Sequence, residues 1–146
     1  MLDIVLNELR GNPTIRHHID GIFRFSNIVE IPLPTTSQPE LFREYIKLKS
    51  QIDGDGERAT LVYCKYNQHI IASSNTSDII PFSKLHSIAY LTTLDIFAIA
   101  INKGKMTIQE VNACILKIIH NKGSYLLCNT IEEYLVKYFD PIKYSY

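Results

Sequence analysis

The stretch from Asp53 to Asp78 constrains the fold more than any other, because its hydrophobic pattern changes period twice. Alternating Asp and Gly residues open it, and from Glu57 the apolar positions recur at the spacing of one helical face. This pattern breaks near Gln68, and the apolar run 69–72 that follows is typical of a buried parallel strand. The stretch therefore predicts a turn, a helix, a short strand and a second turn.

The same alternation of strands and helices extends along the chain. Three short strands are predicted, at 28–31, 69–72 and 88–91. Strands that alternate with amphipathic helices indicate a short parallel sheet with helices on both faces. The length of 146 residues suits one domain. We therefore expect a single α/β domain over 1–146, with a core at 1–123 and a C-terminal helix and tail at 124–146.

Capping patterns place the predicted helices. A first helix runs from Leu2 to Leu9, and Asn12 followed by proline opens a second that ends near Phe25. A third carries the apolar stripe Leu41, Tyr45, Leu48 and Ile52. Four residue pairs have capping-box spacing: Ser37 with Glu40, Thr92 with Asp95, Thr107 with Glu110, and Thr130 with Glu133.

Proline and glycine mark the remaining helix boundaries. Pro81 is expected in the first turn of a short helix that follows Asp78, where proline is tolerated. The last two helices are expected to end at Gly123 and near Pro141.

Composition excludes several classes of protein. Fifteen basic residues balance fifteen acidic ones, so net charge gives no argument for a nucleic-acid partner. Three cysteines without CxxC spacing argue against a disulfide framework and a structural zinc site. No signal peptide is evident, and the longest apolar run, 96–101, is far shorter than a membrane span. We expect a cytoplasmic protein with reduced, buried thiols and no membrane partner.

Several familiar binding motifs fail. The acids Asp53, Asp55 and Glu57 superficially match a calcium loop, but Arg58 occupies the position that requires glycine. No phosphate-binding glycine loop is present. The adjacent His17 and His18 cannot share a helix face, and neither has a partner four residues away that would make a metal site.

Polar residues that follow predicted strands are the candidate site. In an open α/β sheet, ligands bind beyond the carboxyl ends of the strands. Asn75 and Asp78 follow the strand at 69–72, and Asp95 follows the strand at 88–91. Each acid also has a purely structural explanation, as a helix cap or as a first-turn residue that complements the helix dipole.

The runs GDGERATLVYCKYNQHIIASSNTSDI, IVLNEL and YLTTLDIFAIAINKGKMT resemble the PIN-like superfamily of metal-dependent ribonucleases, which includes toxins of bacterial toxin–antitoxin pairs. The resemblance spans roughly Leu2 to Gly123, but its motifs are short. It implies a small three-layer α/β sandwich. It also implies an acidic cluster that holds Mg²⁺ or Mn²⁺ and cleaves single-stranded RNA.

The resemblance assigns roles to individual residues. Glu8 is similar to the family's early helical glutamate, and Glu57 to the acid that opens its central helix. Asn75 occupies the place of a usual aspartate, with Asp78 close enough to substitute for it. On this hypothesis Glu8, Glu57 and Asp78 are catalytic and hold the ion, Asn75 orients the ion or its water, and Asp95 is an outer ligand.

The chain departs from the family pattern at its start. The family's first strand, which ends in the metal-anchoring aspartate, should precede IVLNEL, and Met1 begins too late to supply it. The start is then truncated, or another chain supplies the strand, or the protein is a degenerate relative. Two hypotheses follow: a metal-dependent ribonuclease, or a catalytically degenerate module that binds RNA or a protein. An incomplete sheet exposes an edge, which favours a homodimer or strand addition by a partner.

Overall fold

The computed structural model describes residues 1–120 and 126–139. This part of the chain is mostly helical, and its helices are α1 (Asp3–Arg10), α2 (Pro13–Phe25), α3 (Pro39–Lys47), α4 (Asp55–Asn67), α5 (Thr76–His86), α6 (Thr93–Asn102), α7 (Ile108–His120) and α8 (Ile131–Lys137). A 3₁₀ turn, Leu48–Ser50, follows α3. The two strands are β1 (Ile71–Ala72) and β2 (Tyr90–Leu91). The helix ends predicted at Gly123 and near Pro141 lie outside the described residues.

The two strands confirm an α/β class with a short parallel sheet. β1 and β2 are neighbours in a two-stranded parallel sheet. The N–H of Ile71 donates to the carbonyl of Ala89 at 3.0 Å, and that of Ser73 donates to the carbonyl of Leu91 at 3.1 Å. The strands are shorter than the predicted runs 69–72 and 88–91. The three-layer arrangement stays a prediction.

The prediction of a full strand at 28–31 is wrong. Only Ile31 pairs, in an isolated parallel bridge with Leu2. The N–H of Asp3 donates to the carbonyl of Ile31, and the N–H of Ile31 donates to the carbonyl of Met1, both at 2.9 Å. The ladder cannot extend because α1 begins at Asp3 on one side and Pro32, which lacks an N–H, follows on the other.

The chain divides into two compact units. The first comprises 1–71 and 78–89, and the second comprises 72–77 and the described residues from 90 onward. Each has its own apolar core. Buried residues of the first core include Leu2, Leu33, Leu41, Ala59 and Val62, and those of the second include Leu94, Ala98, Val111, Ile115, Cys128, Ile131 and Tyr134. The expectation of one domain over 1–146 stays a prediction.

In the first unit, both α1 and α3 pack against α4. α4 is buried along most of its length, with Ala59, Leu61 and Val62 fully enclosed. α2 packs against α1 but has no buried residue of its own. In the second unit, α8 packs against both α6 and α7. Among the residues described, no helix combines the length and the apolar character that a membrane span requires.

Capping boxes predict three of the helix starts correctly. Thr92 and Asp95 bond reciprocally at the start of α6, and Thr107 and Glu110 do so before α7. The Thr130 hydroxyl accepts from the Glu133 N–H at 3.3 Å before α8. Such bonds satisfy first-turn N–H groups that have no acceptor within the helix.

Two expected helix starts are wrong. α3 begins at Pro39 with Gln38 as its N-cap, so Ser37 and Glu40 form no capping box. Proline at the first helical position, with its fixed φ, sets this start one residue later than the box requires. α4 begins at Asp55, close to the start predicted near Glu57. α5 begins at Thr76, so Pro81 lies inside it, beyond the first turn.

The end of α4 generates a stability prediction. Gln68 follows this helix in the left-handed conformation, with φ 53° and ψ 40°, and its side chain is exposed. Left-handed backbone is unfavourable for residues with a Cβ, and glycine is the usual residue at this position. We expect Gln68→Gly to raise the free energy of unfolding by roughly 0.5–1 kcal/mol, after its entropic cost in the unfolded chain.

Urea unfolding followed by circular dichroism would measure the change. Gln68→Asn should give a smaller gain, because asparagine tolerates this conformation better than glutamine. Gln68→Ala, which keeps the Cβ, should give none. An alanine variant as stable as the glycine variant would contradict a conformational origin.

Candidate functional site

The first turn of α4 brings two of the predicted site residues together. Gly54 is the N-cap of this helix and supplies no side-chain cap. Instead Glu8, on α1, accepts a hydrogen bond from the N–H of Gly56 at 2.8 Å through its Oε1. The N–H groups of a first helical turn have no acceptor within the helix. Glu8 therefore caps α4 from a neighbouring helix.

Glycine at position 56 makes this contact possible. A Cβ built on Gly56 would lie 2.6 Å from Oε2 of Glu8 and 3.1 Å from Cγ2 of Val5. The first of these distances is too short for any real contact. The Glu8 carboxylate can occupy this position against the α4 backbone because residue 56 lacks a side chain.

Glu57 occupies the same helix end. It lies in the first turn of α4, and a Cβ built on Gly54 would be 3.8 Å from its Oε2. The amino end of a helix carries partial positive charge, which favours carboxylates there. The helix end therefore accounts electrostatically for Glu8, which bonds an N–H there, and its charge favours an ionised Glu57.

Arg58 is buried directly behind this turn, with 2% of the residue exposed. One terminal nitrogen donates to the carbonyls of Ile52 and Asp53, at 2.7 and 2.8 Å, and the other donates to the Asp55 carboxylate. The guanidinium carbon lies 5.3 Å from the centre of the Tyr45 ring. Arg58 thus ties the turn before α4 to α3. In the sequence it resembles an ordinary surface partner of Asp55.

The third proposed catalytic acid belongs to a different helix. Asp78 is a half-buried residue in the first turn of α5, in the first unit. This is where a dipole-complementing acid is expected. Asn75 belongs to the second unit, where its Oδ1 accepts from the Ser77 hydroxyl at 2.5 Å and its N–H donates to the Ser73 hydroxyl at 3.1 Å. The amide of Asn75 therefore takes part in a local turn.

Asp95 is a buried structural acid of the second unit, with 3% of the residue exposed. Its Oδ2 accepts from the N–H and the hydroxyl of Thr92, each at 2.8 Å. Its Oδ1 accepts from the Tyr134 hydroxyl at 2.6 Å. Both oxygens thus serve the cap of α6 and a link to α8. Tyr134 lies far from Asp95 in the chain, and no sequence pattern predicts the hydrogen bond between them.

Two nucleophilic or basic side chains in the described part of the chain, Cys64 and His86, are not activated for chemistry. All three cysteines are free, and burial raises the pKa of Cys64 to about 11, so its thiol stays protonated at neutral pH. Burial and the nearby Lys65 lower the pKa of His86, which keeps its imidazole neutral there. Within residues 1–120 and 126–139, no three His, Cys, Asp or Glu side chains converge on a point where they could hold a metal ion.

Comparisons with known proteins leave the family open. No family model matches the chain, and no curated protein or solved structure matches it significantly.

The cap formed by Glu8 generates the second prediction. Replacing a helical glycine by alanine ordinarily stabilises a helix by about 1 kcal/mol. We expect Gly56→Ala to give no such gain, because the new Cβ displaces the Glu8 carboxylate and uncaps α4, which costs about 1 kcal/mol and offsets it. Gly21→Ala is the matched control: it lies in α2, where an added Cβ meets nothing within 4 Å, and it should stabilise.

A double-mutant cycle tests the mechanism. In a Glu8→Ala background the space beside residue 56 is open, so the further change Gly56→Ala should stabilise the protein more than it does in the native chain. The measurement is the free energy of unfolding in urea for all four chains. Strict additivity of the two substitutions would show that Glu8 and Gly56 do not interact.

Proposed function

We propose that this chain is a non-catalytic binding module with PIN-like architecture. The observation that carries the proposal is the use of the Glu8 carboxylate as the cap of α4, at 2.8 Å from the Gly56 N–H. In the resemblance to PIN-like ribonucleases, the same residue is a metal ligand. An acid already bonded to backbone at a positive helix end is well suited to hold two helices together.

The other proposed ligands support the same conclusion. Both carboxylate oxygens of Asp95 accept hydrogen bonds, from Thr92 and from Tyr134, and Asn75 takes part in a local turn. A magnesium ion requires oxygen ligands whose lone pairs converge on it in octahedral geometry. The contacts of Asn75 direct its side chain into its own turn, and those of Asp95 direct its oxygens to the start of α6 and to α8.

We propose that such a module acts in the cytoplasm. Its partner is a second protein chain or RNA. Exposed apolar residues at the end of α2 and just after it favour a protein partner: Ile22, Phe25, Ile28 and Val29. Isolated apolar side chains are common on surfaces, but several exposed in one short segment favour an interaction site. The balanced net charge gives RNA no corresponding advantage.

A metal-dependent ribonuclease, of the kind found as a toxin in toxin–antitoxin pairs, is the second candidate. It is favoured by the position of Glu8 and Glu57 at one helix end. Magnesium or manganese is often bound by one or two carboxylates, with water and substrate phosphates completing its shell. Glu8 and Glu57 would hold the ion, with Asp78 as the third acid. A bound ion would supply a water of lowered pKa and neutralise phosphate charge.

Calorimetric titration of Mn²⁺ into the protein separates the two candidates. The binding module predicts no saturable binding. The ribonuclease predicts saturable binding that Glu57→Gln abolishes and that Glu132→Gln, at an exposed acid of α8, leaves unchanged. Saturable binding that depends on Glu57 would overturn the proposed function.

The stability of Glu57→Gln gives a test that does not depend on added metal. If Glu57 complements the helix end, removing its charge should lower the free energy of unfolding by about 0.3–1 kcal/mol. If it is held beside other carboxylates in a metal cage, removing its charge should stabilise the metal-free protein by relieving repulsion. The sign of the change in urea unfolding therefore decides between the roles.

A further inference from the structure

A charged stripe on α3 lies outside every contact discussed so far. It consists of Glu40, Arg43, Glu44 and Lys47, which recur at the spacing of one helix face. Together with Leu48, Lys65 and Tyr66, the stripe lines a groove of about 350 Å³ in the first unit. We refer to these four residues as the α3 stripe.

The order of charges along the stripe is negative, positive, negative, positive. When a second copy of the helix is laid against it in antiparallel orientation, with the two-fold axis between Arg43 and Glu44, opposite charges meet throughout. Glu40 of each copy then faces Lys47 of the other, and Arg43 faces Glu44. This is the self-complementary pattern that a two-fold symmetric interface requires, because each residue meets its counterpart reciprocally.

We propose that the α3 stripe is a self-association surface, on which a second copy of this chain binds through antiparallel α3 helices. The surface is independent of the acids that cap α4, so this inference and the proposed function can fail separately.

Three of the four stripe residues, Glu40, Arg43 and Lys47, are exposed and available for such contacts. Arg43 pairs with Glu40 at 2.6 Å, but their side chains are 69% and 67% exposed, so either can change partner. Lys47 is exposed and forms no ion pair within the described part of the chain. Exposed ion pairs such as Arg43–Glu40 are weak, so exchanging one for a contact between copies costs little.

Glu44 is held in place for a shared contact. Both of its oxygens accept from Lys65 Nζ, at 2.7 and 2.8 Å, and this pair joins α3 to α4. Burial raises the pKa of Tyr66, and a hydrogen bond to Glu44 raises it further. The Lys65 ammonium lies 5.5 Å from the centre of the Tyr66 ring. A carboxylate has about four acceptor positions, so Glu44 can also accept from Arg43 of a second copy.

Apolar side chains beside the stripe supply area that charges alone do not. Ile46 is 52% exposed and lies next to Arg43 on the helix surface, and Tyr66 is 41% exposed at the groove. Interfaces draw most of their affinity from such residues, while charged pairs set register and orientation. The contact is thus expected to be weak and populated at high protein concentration.

The alternation of sign also argues against other partners. A nucleic-acid backbone or an anionic membrane surface would place negative charge against Glu40 and Glu44. A uniformly basic partner would meet Arg43 and Lys47 in the same way. A partner of mixed charge fits the stripe, and a second copy has the matching order by construction.

Charge-reversal variants test this pairing by sedimentation equilibrium at low salt. Lys47→Glu places two glutamates opposite each other at both symmetric positions, and we expect about tenfold weaker dimerisation. Lys49→Glu is the matched control: it makes the same charge change at an exposed residue outside the stripe, and should alter the dissociation constant less than about twofold. Circular dichroism would verify that the variants fold.

Complementary variants sharpen the test. Glu40→Lys alone should weaken dimerisation as Lys47→Glu does, whereas an equimolar mixture of the two variants should form heterodimers, because each 40–47 contact is again between opposite charges. The double variant Glu40→Lys/Lys47→Glu should recover self-association. Salt at about 1 M, where the Debye length falls to about 3 Å, should weaken the native dimer.

Either of two results would overturn the proposal. One is a native chain that stays monomeric at low salt over the accessible concentration range. The other is a dimer that does not respond to the variants as expected: Lys47→Glu and Lys49→Glu weaken it equally, or mixing Glu40→Lys with Lys47→Glu does not restore association.

Discussion

The hydrogen bond from the Gly56 N–H to the Glu8 carboxylate is the contact on which the first unit is built. It joins the helix that opens the chain to the most buried helix of the unit, and it requires glycine because any Cβ at position 56 would collide with the carboxylate. An ionised acid there is favoured by the positive end of α4. Capping, packing and electrostatics therefore all depend on the same few atoms.

α4 is held in the same manner along the rest of its length. Behind its first turn, the buried Arg58 binds the preceding loop and lies over Tyr45 of α3. Near its other end, Lys65 bonds both oxygens of Glu44, also on α3. Burying a guanidinium is costly unless its donors are bonded, so the loop carbonyls that bind one terminal nitrogen are as necessary as the carboxylate that binds the other. The buried Nε of Arg58 has no hydrogen-bond partner within the described residues. Apolar packing is not directional, so these polar contacts set the position of α4 along α3.

Local signals predict the helices well, and the contacts between helices poorly. The capping box of Thr92 with Asp95 depends on residues three apart, and the sequence alone identifies it. The bond between Asp95 and Tyr134 joins two helices far apart in the chain, and no spacing rule reveals it. The strand predicted at 28–31 fails for the same reason: its apolar pattern is correct, but its partner turns into a helix at Asp3. Pairing, unlike periodicity, is a property of the whole fold.

The candidate site shows why an acid in a sequence is ambiguous. A first-turn glutamate such as Glu57 satisfies the rule for a helix-dipole partner and the rule for a metal ligand equally well, because both need an ionised carboxylate. What separates them is the charge that faces the carboxylate: a helix end presents partial positive charge from N–H groups, whereas a metal site presents a cation and other acids. At α4, Glu8 bonds an N–H, and Glu57 lies one residue further along the same turn. A cation placed at this helix end would have to compete with the helix dipole for both carboxylates.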